Sequence, residues 1–117
     1  MRNDEVYLRH IAESIALVEW YVTDADRSLS EGLFFRDLRT QDAVLRRLET
    51  LADAASHLSD VLKARHPKVS WRQIGDFRNV LAHGYTDIRL DQVWQVIISD
   101  LPALKEVIAA EVDRLDS

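Results

Sequence analysis

The chain has 117 residues and a formal net charge of -5, contains no cysteine, and is 47% hydrophobic. This length and apolar content predict one domain over residues 1–117 with a proper core, and the lack of cysteine excludes disulfides and thiolate metal sites. The acidic charge argues against nucleic-acid binding over a broad basic face, so any such contact must be a local basic pocket.

The N-terminus and the hydropathy of the chain predict where the protein resides. Residues 1–5 include acids where a signal peptide would have a cationic start followed by an apolar run. No stretch approaches the length needed to span a bilayer. We therefore expect a cytoplasmic protein without a membrane partner.

Apolar residues repeat at steps of three and four in the first part of the chain, which predicts helices. The first is expected from about residue 4 to residue 24, with the stripe Leu8, Ile11, Ile15, Val18 and Val22. Its aromatic residues widen that apolar surface and are read as core or interface: Tyr7, Trp20 and Tyr21. After a break at residues 28–32, residues 33–35 form a short apolar patch that we expect to fold back on the bundle.

A second long helix is predicted from about residue 37 to residue 65. His66-Pro67 closes it, because a residue before proline is pushed out of the helical region. Asp53 and His57 are four residues apart on this helix and so lie on one face, where they form a solvated or structural pair. His10 and His66 add no metal-ligand spacing to this pair. We therefore predict neither a metal nor a cofactor.

Three shorter helices are predicted in the second half. Ser70 and Gln73 fit a capping box that starts a helix over about residues 71–83. A fourth helix follows residues 86–89, and Asp100 is expected to cap a fifth, with Pro102 in its first turn. No strand signal occurs. The prediction is an all-α, antiparallel bundle of four to five helices, and its coiled-coil-like seams indicate a two-fold homodimer.

The motif R-x-x-x-x-H-x-Y lies at the end of the third predicted helix, which is short, and comprises Arg78, His83 and Tyr85. Arg78 and His83 are separated by roughly 140° around a helix axis, with the polar Asn79 on the arc between them. Gly84 is placed to end the helix in a left-handed cap, which would return Tyr85 to the same rim. This arrangement suits an anion on Arg78 beside a proton carrier. A histidine and a glycine also form an ordinary helix end, so the residues alone leave both readings open.

Longer segments around this motif resemble the HepT family of the HEPN superfamily, formerly called DUF86. The similar segments are residues 41–49, 71–74, 77–85, 93–94 and 100–104. The resemblance implies a HEPN-type bundle that dimerises, with the motif helices of both subunits facing a shared cleft. It also implies the toxin of a type VII toxin–antitoxin pair, acting as a metal-independent endoribonuclease. The implied partner is an MntA-type minimal nucleotidyltransferase antitoxin.

The resemblance also assigns roles to individual residues. Arg78 and His83 match the catalytic pair of the family, and Asn79 occupies the polar position after the arginine. Tyr85 matches the tyrosine to which the antitoxin adds AMP. Family members often carry Gly-Glu-Ala-Ala in the second helix. The corresponding residues here are Ala-Asp-Ala-Ala at 52–55, so Asp53 keeps the acid one methylene shorter in a supporting role.

In the implied reaction, the RNA's 2′-hydroxyl attacks the adjacent phosphodiester, His83 takes its proton and Arg78 holds the phosphate. AMP on Tyr85 would place a competing phosphate beside Arg78. The alternative function is a non-catalytic helical dimer that is the binding partner and substrate of a nucleotidyltransferase. A third reading is a structural dimer in which the motif is only a helix end.

Overall fold

The computed structural model describes residues 2–83 and 88–117, with side chains from Asp4 onward. Within these ranges the chain is helical, and the only strand-like feature is an isolated bridge between Thr23 and Leu29. The helices are α1 (Arg2–Tyr21), α2 (Glu31–Arg36), α3 (Leu38–Ser56), α4 (Asp60–Arg65), α5 (Trp71–His83), α6 (Leu90–Gln95) and α7 (Leu101–Asp116). The all-α prediction is confirmed, and the two-fold dimer stays a prediction.

The core lies between α1, α3 and the helices that follow residue 88, and α1 packs against both α3 and α7. Its fully buried side chains include Leu8, Ile11, Ile15, Leu48, Leu62, Leu81 and Ile108. The expected apolar patch forms the short helix α2, which Ser30 caps by accepting a hydrogen bond from the Leu33 N–H. Phe34 of α2 is buried and stacks on Trp94 of α6 at 5.6 Å between ring centroids. The patch therefore folds back on the bundle as predicted.

The single long helix predicted from residue 37 to residue 65 is wrong, because the chain breaks at residues 57–59 into α3 and α4. Ser59 has an extended backbone (φ −65°, ψ 153°), and its Oγ accepts from the Leu62 N–H to cap α4. The carboxylate of Asp4, which is buried, accepts from the Ser59 N–H at 2.8 Å and from the Ser59 hydroxyl at 2.6 Å. This contact with α1 stabilises the break.

The predicted cap at Asp100 is also wrong, since α6 and α7 form one continuous helix through a π-helical turn, Val96–Asp100. Asp100 has a helical backbone and its side chain makes no capping hydrogen bond. The Leu101 N–H instead donates to the carbonyl of Val96, five residues earlier. Pro102 explains this turn, because a proline ring clashes with the carbonyl four residues before it in a regular α-helix. The wider π turn accommodates the ring without ending the helix.

A buried carboxylate joins α7 to the end of α4. Glu111 is 4% exposed and accepts hydrogen bonds from Arg65 Nη2 at 2.7 Å and Arg65 Nε at 3.2 Å. His66 Nε2 lies 2.7 Å from the same carboxylate. The pKa of Glu111 is lowered to about 2, chiefly by the hydrogen bonds from Arg65. Burial acts in the opposite direction and raises the pKa, and the hydrogen bond with His66 lowers it further. This cluster fixes the turn through which the chain enters α5.

Helix α5 lies on the outside of the bundle and packs mainly on α3. Leu81 is its one buried residue, and Trp71, Ile74 and Phe77 are half-buried on the same side. The opposite side of α5 is therefore accessible. No helix in the described ranges combines the length and the hydropathy that crossing a membrane requires.

Candidate functional site

Helix α5 carries three of the predicted site residues and presents them on different sides. The expected N-cap is present, because Ser70 Oγ accepts from the Gln73 N–H at 3.3 Å. Leu81 marks the buried side, and Arg78 lies roughly 60° from it around the axis, close enough to the core side to reach α3. His83 lies roughly 160° from Leu81 by the same geometry and is exposed.

Asn79 belongs to the outer side of α5 together with His83. The two are four residues apart, so they are neighbours on one face of the helix, about one turn apart, and both are exposed. Within the described residues, no hydrogen bond or ion pair joins His83 to Arg78 or to Asp53. Gly84 and Tyr85 lie outside the described residues, so the predicted helix cap and the predicted AMPylation site stay predictions.

Asp53 of α3 is brought directly to Arg78. Arg78 Nη2 lies 3.0 Å from Asp53 Oδ1, and the two side chains are 41% and 48% exposed. The acid is one methylene shorter than the glutamate that the family resemblance implies at this position, and it nevertheless reaches the arginine. Because a guanidinium has several N–H groups in a rigid fork, a carboxylate on one edge orients the group and leaves other donors for a ligand.

The predicted pairing of Asp53 with His57 is also present. His57 Nε2 lies 4.0 Å from Asp53 Oδ2, so one carboxylate lies between an imidazole and a guanidinium. The His57 ring in turn stacks on Tyr7 of α1, with 4.9 Å between centroids and an interplanar angle of 17°. We call this row of four side chains, Tyr7, His57, Asp53 and Arg78, the α1–α3–α5 strip.

Sequence reasoning missed Tyr7 as part of this strip. The sequence pattern predicts the tyrosine as apolar surface of the first helix, and its partner His57 is 50 positions away in the chain. The spacing of Asp53 and His57 was the one local signal, since four residues place two side chains on one helical face. The contact between α1 and the end of α3 depends on tertiary packing and leaves no local pattern.

A groove of about 570 Å³ runs beside the inner side of α5. Its lining is mostly apolar and includes Leu48 and Leu51 of α3, Ile74 and Phe77 of α5, and Leu104 and Val107 of α7. The helix that carries Arg78 and His83 is thus flanked by an open apolar surface. No group of three or more His, Asp or Glu side chains that could hold a metal ion occurs in the part of the chain that the structure describes.

The all-helical bundle in the described ranges is the fold expected of a HEPN-type domain. Its helix α5 carries the half-exposed Arg78 and the exposed His83 five positions apart. The family model described as "Ribonuclease HepT-like" matches residues 11–111. The chain belongs to the HepT-like ribonuclease family. No solved structure matches the chain.

Individual relatives agree with this assignment. A protein of Thermococcus cleftensis named "Probable ribonuclease HepT" is 33% identical over 104 residues, which cover 89% of this chain and 91% of the relative. A protein of Methanocaldococcus jannaschii named "Gamma-glutamylcyclotransferase and putative RNase" is 35% identical over 117 residues, or 99% of this chain. The chain spans about half of that second relative, 51% of its length.

Proposed function

We propose that this protein is a metal-independent endoribonuclease and the toxin of a type VII toxin–antitoxin pair. The observation that carries the proposal is the half-exposed ion pair, 3.0 Å long, between Asp53 of α3 and Arg78 of α5, the helix that ends at His83. This arrangement supplies a fixed cation for a phosphate and an imidazole for proton transfer in a chain of the HepT-like ribonuclease family.

The reaction needs only the RNA and these side chains. The 2′-hydroxyl of the RNA attacks the adjacent phosphorus while neutral His83 takes its proton as general base. The bond between phosphorus and the 5′-oxygen breaks, and that oxygen leaves with a proton from an acid. The products are a 2′,3′-cyclic phosphate and a 5′-hydroxyl. Arg78 stabilises the negative charge that grows on the phosphate oxygens, and Asp53 holds the guanidinium in place.

A two-fold dimer supplies the missing acid. Arg78 and His83 lie roughly 140° apart on α5, so one copy does not point both side chains at one atom. A cleft shared by two copies would place a second His83, protonated, near the leaving oxygen. The apolar groove beside α5 supports such a dimer, because an open surface of this kind gains stability when another chain covers it.

Modification of Tyr85 would control the activity. AMP attached to the tyrosine oxygen by an MntA-type nucleotidyltransferase antitoxin adds a negatively charged phosphate close to the motif. That phosphate would compete with RNA for Arg78 and repel the substrate backbone. The modified protein would therefore bind RNA weakly and cleave it slowly.

RNA cleavage by purified protein in EDTA tests the proposal. We expect His83→Ala to lower the rate by about 10²- to 10⁴-fold, the usual contribution of general acid–base catalysis. His10→Ala, which removes an exposed histidine of α1, is the matched control and should cleave like wild type. The intact mass of each sample reports whether AMP is attached. Cleavage that persists in His83→Ala would refute the catalytic assignment.

The acidic charge and the pairing of Arg78 favour a second candidate function. A net charge of -5 and a guanidinium already paired with Asp53 both weaken the attraction for a polyanion. In this alternative, the protein is a non-catalytic helical dimer that binds a nucleotidyltransferase and accepts AMP from it. Unmodified protein that accepts AMP from the nucleotidyltransferase but cleaves no RNA would favour the alternative.

A further inference from the structure

The α1–α3–α5 strip extends the arginine site across the surface of the bundle. From Arg78, the strip runs over Asp53 at 3.0 Å, then over His57 at 4.0 Å, and ends at the Tyr7 ring stacked beneath His57. All four residues are half-buried or exposed; Tyr7, Asp53 and Arg78 lie on α1, α3 and α5, and His57 is the C-cap of α3. The proposed catalytic mechanism uses the arginine and the carboxylate, and leaves the two aromatic rings without a role.

The His57 ring is stacked on Tyr7 through one face, and no second aromatic ring stacks on it within the described residues. Tyr7 covers one face at a nearly parallel angle of 17°, and the Asp53 carboxylate lies at the Nε2 edge. The His57 side chain is 52% exposed although Tyr7 covers one face. We infer from this that the exposed part includes the face opposite Tyr7. A ring already fixed by two neighbours loses little conformational freedom when a third planar group stacks on it, and such preorganisation favours binding.

The charges along the strip indicate which part of an RNA would lie there. A phosphate fits at Arg78, but Asp53 repels a second phosphate placed further along the strip. A nucleobase is uncharged and has a flat face, so it tolerates the carboxylate and matches the open face of His57. Single-stranded RNA is commonly bound in this way, with the backbone on cationic groups and the bases stacked on Tyr, Phe, Trp or His rings.

We propose that the open face of His57, supported by Tyr7, is a nucleobase subsite for the RNA that binds at Arg78. The inference rests on the proposed function, because it takes RNA to be the ligand of Arg78. The Asp53 carboxylate lies between the two groups, 3.0 Å from the Arg78 guanidinium and 4.0 Å from the His57 imidazole. Because only this carboxylate separates them, the base stacked on His57 belongs to a nucleotide next to the phosphate that binds Arg78. His57 then binds substrate through its ring, with no requirement for a charge on the imidazole.

Binding of 2′-O-methyl oligoadenylate of about ten nucleotides tests this subsite, since that probe lacks the attacking hydroxyl and stays intact. We expect His57→Ala to weaken its binding about tenfold, the usual effect of removing one stacking side chain. His57→Phe should bind like wild type, because phenylalanine keeps the ring and loses the imidazole. An abasic chain of the same length should bind equally to wild type and to His57→Ala.

Two controls separate stacking from charge and from folding. The slope of log affinity against log salt concentration should be the same for wild type and His57→Ala. Arg78→Ala should make this slope shallower by about one, the contribution of one phosphate contact. Trp20→Ala removes another exposed aromatic ring, 13 residues from Tyr7 along α1, and should leave the affinity unchanged. Thermal unfolding of each variant, followed by circular dichroism, verifies that the bundle is intact.

The outcomes distinguish failure of the subsite from failure of the proposed function. Protein that binds RNA through Arg78 but is indifferent to His57→Ala overturns the subsite alone. A loss in His57→Phe as large as that in His57→Ala also overturns it, because the imidazole and not the ring would then make the contact. Wild-type protein that neither binds the oligoadenylate nor cleaves RNA overturns the proposed function and the subsite with it.

Discussion

Glu111→Gln removes the negative charge at the junction between α4 and α7. The pKa of Glu111 is lowered from its ordinary value of 4.5 to about 2, chiefly by the hydrogen bonds from Arg65. At about 1.4 kcal/mol for each pKa unit, this difference corresponds to about 3 kcal/mol of folding free energy. Arg65 is 37% exposed and can turn to water once the charge is gone, so we expect the cost of Glu111→Gln to stay near that value and not exceed it.

The sign of the pH dependence follows from the direction of the shift. A carboxyl with a lowered pKa in the folded state contributes its full stability above the unfolded pKa of about 4.5. That contribution is lost as the pH falls from about 4.5 towards 2, where the folded carboxyl also takes up a proton. The free energy of unfolding of wild type should therefore fall across this window more steeply than that of Glu111→Gln.

Urea unfolding of both proteins at neutral pH and at about pH 3 measures this difference. We expect the free energy of unfolding of wild type to exceed that of Glu111→Gln by about 3 kcal/mol at neutral pH, and this difference to become clearly smaller at about pH 3. Glu106→Gln is the matched control, because Glu106 is an exposed carboxylate on the same helix, and it should change stability by less than about 0.5 kcal/mol. A gap that is equally wide at both pH values would refute the assignment of the stability to the charge of Glu111.

Two further substitutions test contacts described above. Asp53→Asn should lower the rate of RNA cleavage about tenfold without changing the fold, because Arg78 loses the negative charge that orients its guanidinium. Asp42→Asn is the control, since Asp42 is an exposed acid on the same helix. A rate equal to wild type would mean that Asp53 does not position the arginine. Asp4→Ala should lower the free energy of unfolding by about 1–3 kcal/mol, because the Ser59 N–H and hydroxyl lose their acceptor. Urea unfolding with an unchanged midpoint would contradict this account of the break between α3 and α4.

The helical periodicity was sufficient for the fold class but not for the breaks within it. Leu51, Leu58 and Leu62 follow each other at helical spacing, so the stripe of apolar residues continues across residues 57–59 although the helix does not. The break depends on Asp4, which is 55 positions from Ser59 in the chain. At Pro102 the local signal was present but ambiguous, because proline both starts helices and widens them.

The candidate site could be predicted where its residues share one helix. Arg78, Asn79 and His83 are placed by the geometry of α5, which the sequence specifies through its cap and its apolar side. The contact of Asp53 with Arg78 depends on how α3 packs on α5. Spacing alone predicts only the pairing of Asp53 with His57, and the family resemblance is what implies a role for the acid at the site. The stack of Tyr7 on His57 joins α1 to the end of α3, and no spacing within either helix indicates it.

The attachment of α5 to the bundle has a consequence for its local stability. Helices α1 and α3 are held on several sides, whereas α5 packs mainly on α3 and buries only Leu81 completely. Opening of α5 alone exposes less apolar surface than opening of α1, whose Leu8, Ile11, Ile15 and Val18 are all buried. The amide hydrogens of α5 should therefore exchange with solvent through sub-global openings, before those of α1. A partner that covers the apolar groove would slow this exchange. The helix that carries the motif would then be most rigid in the assembled protein.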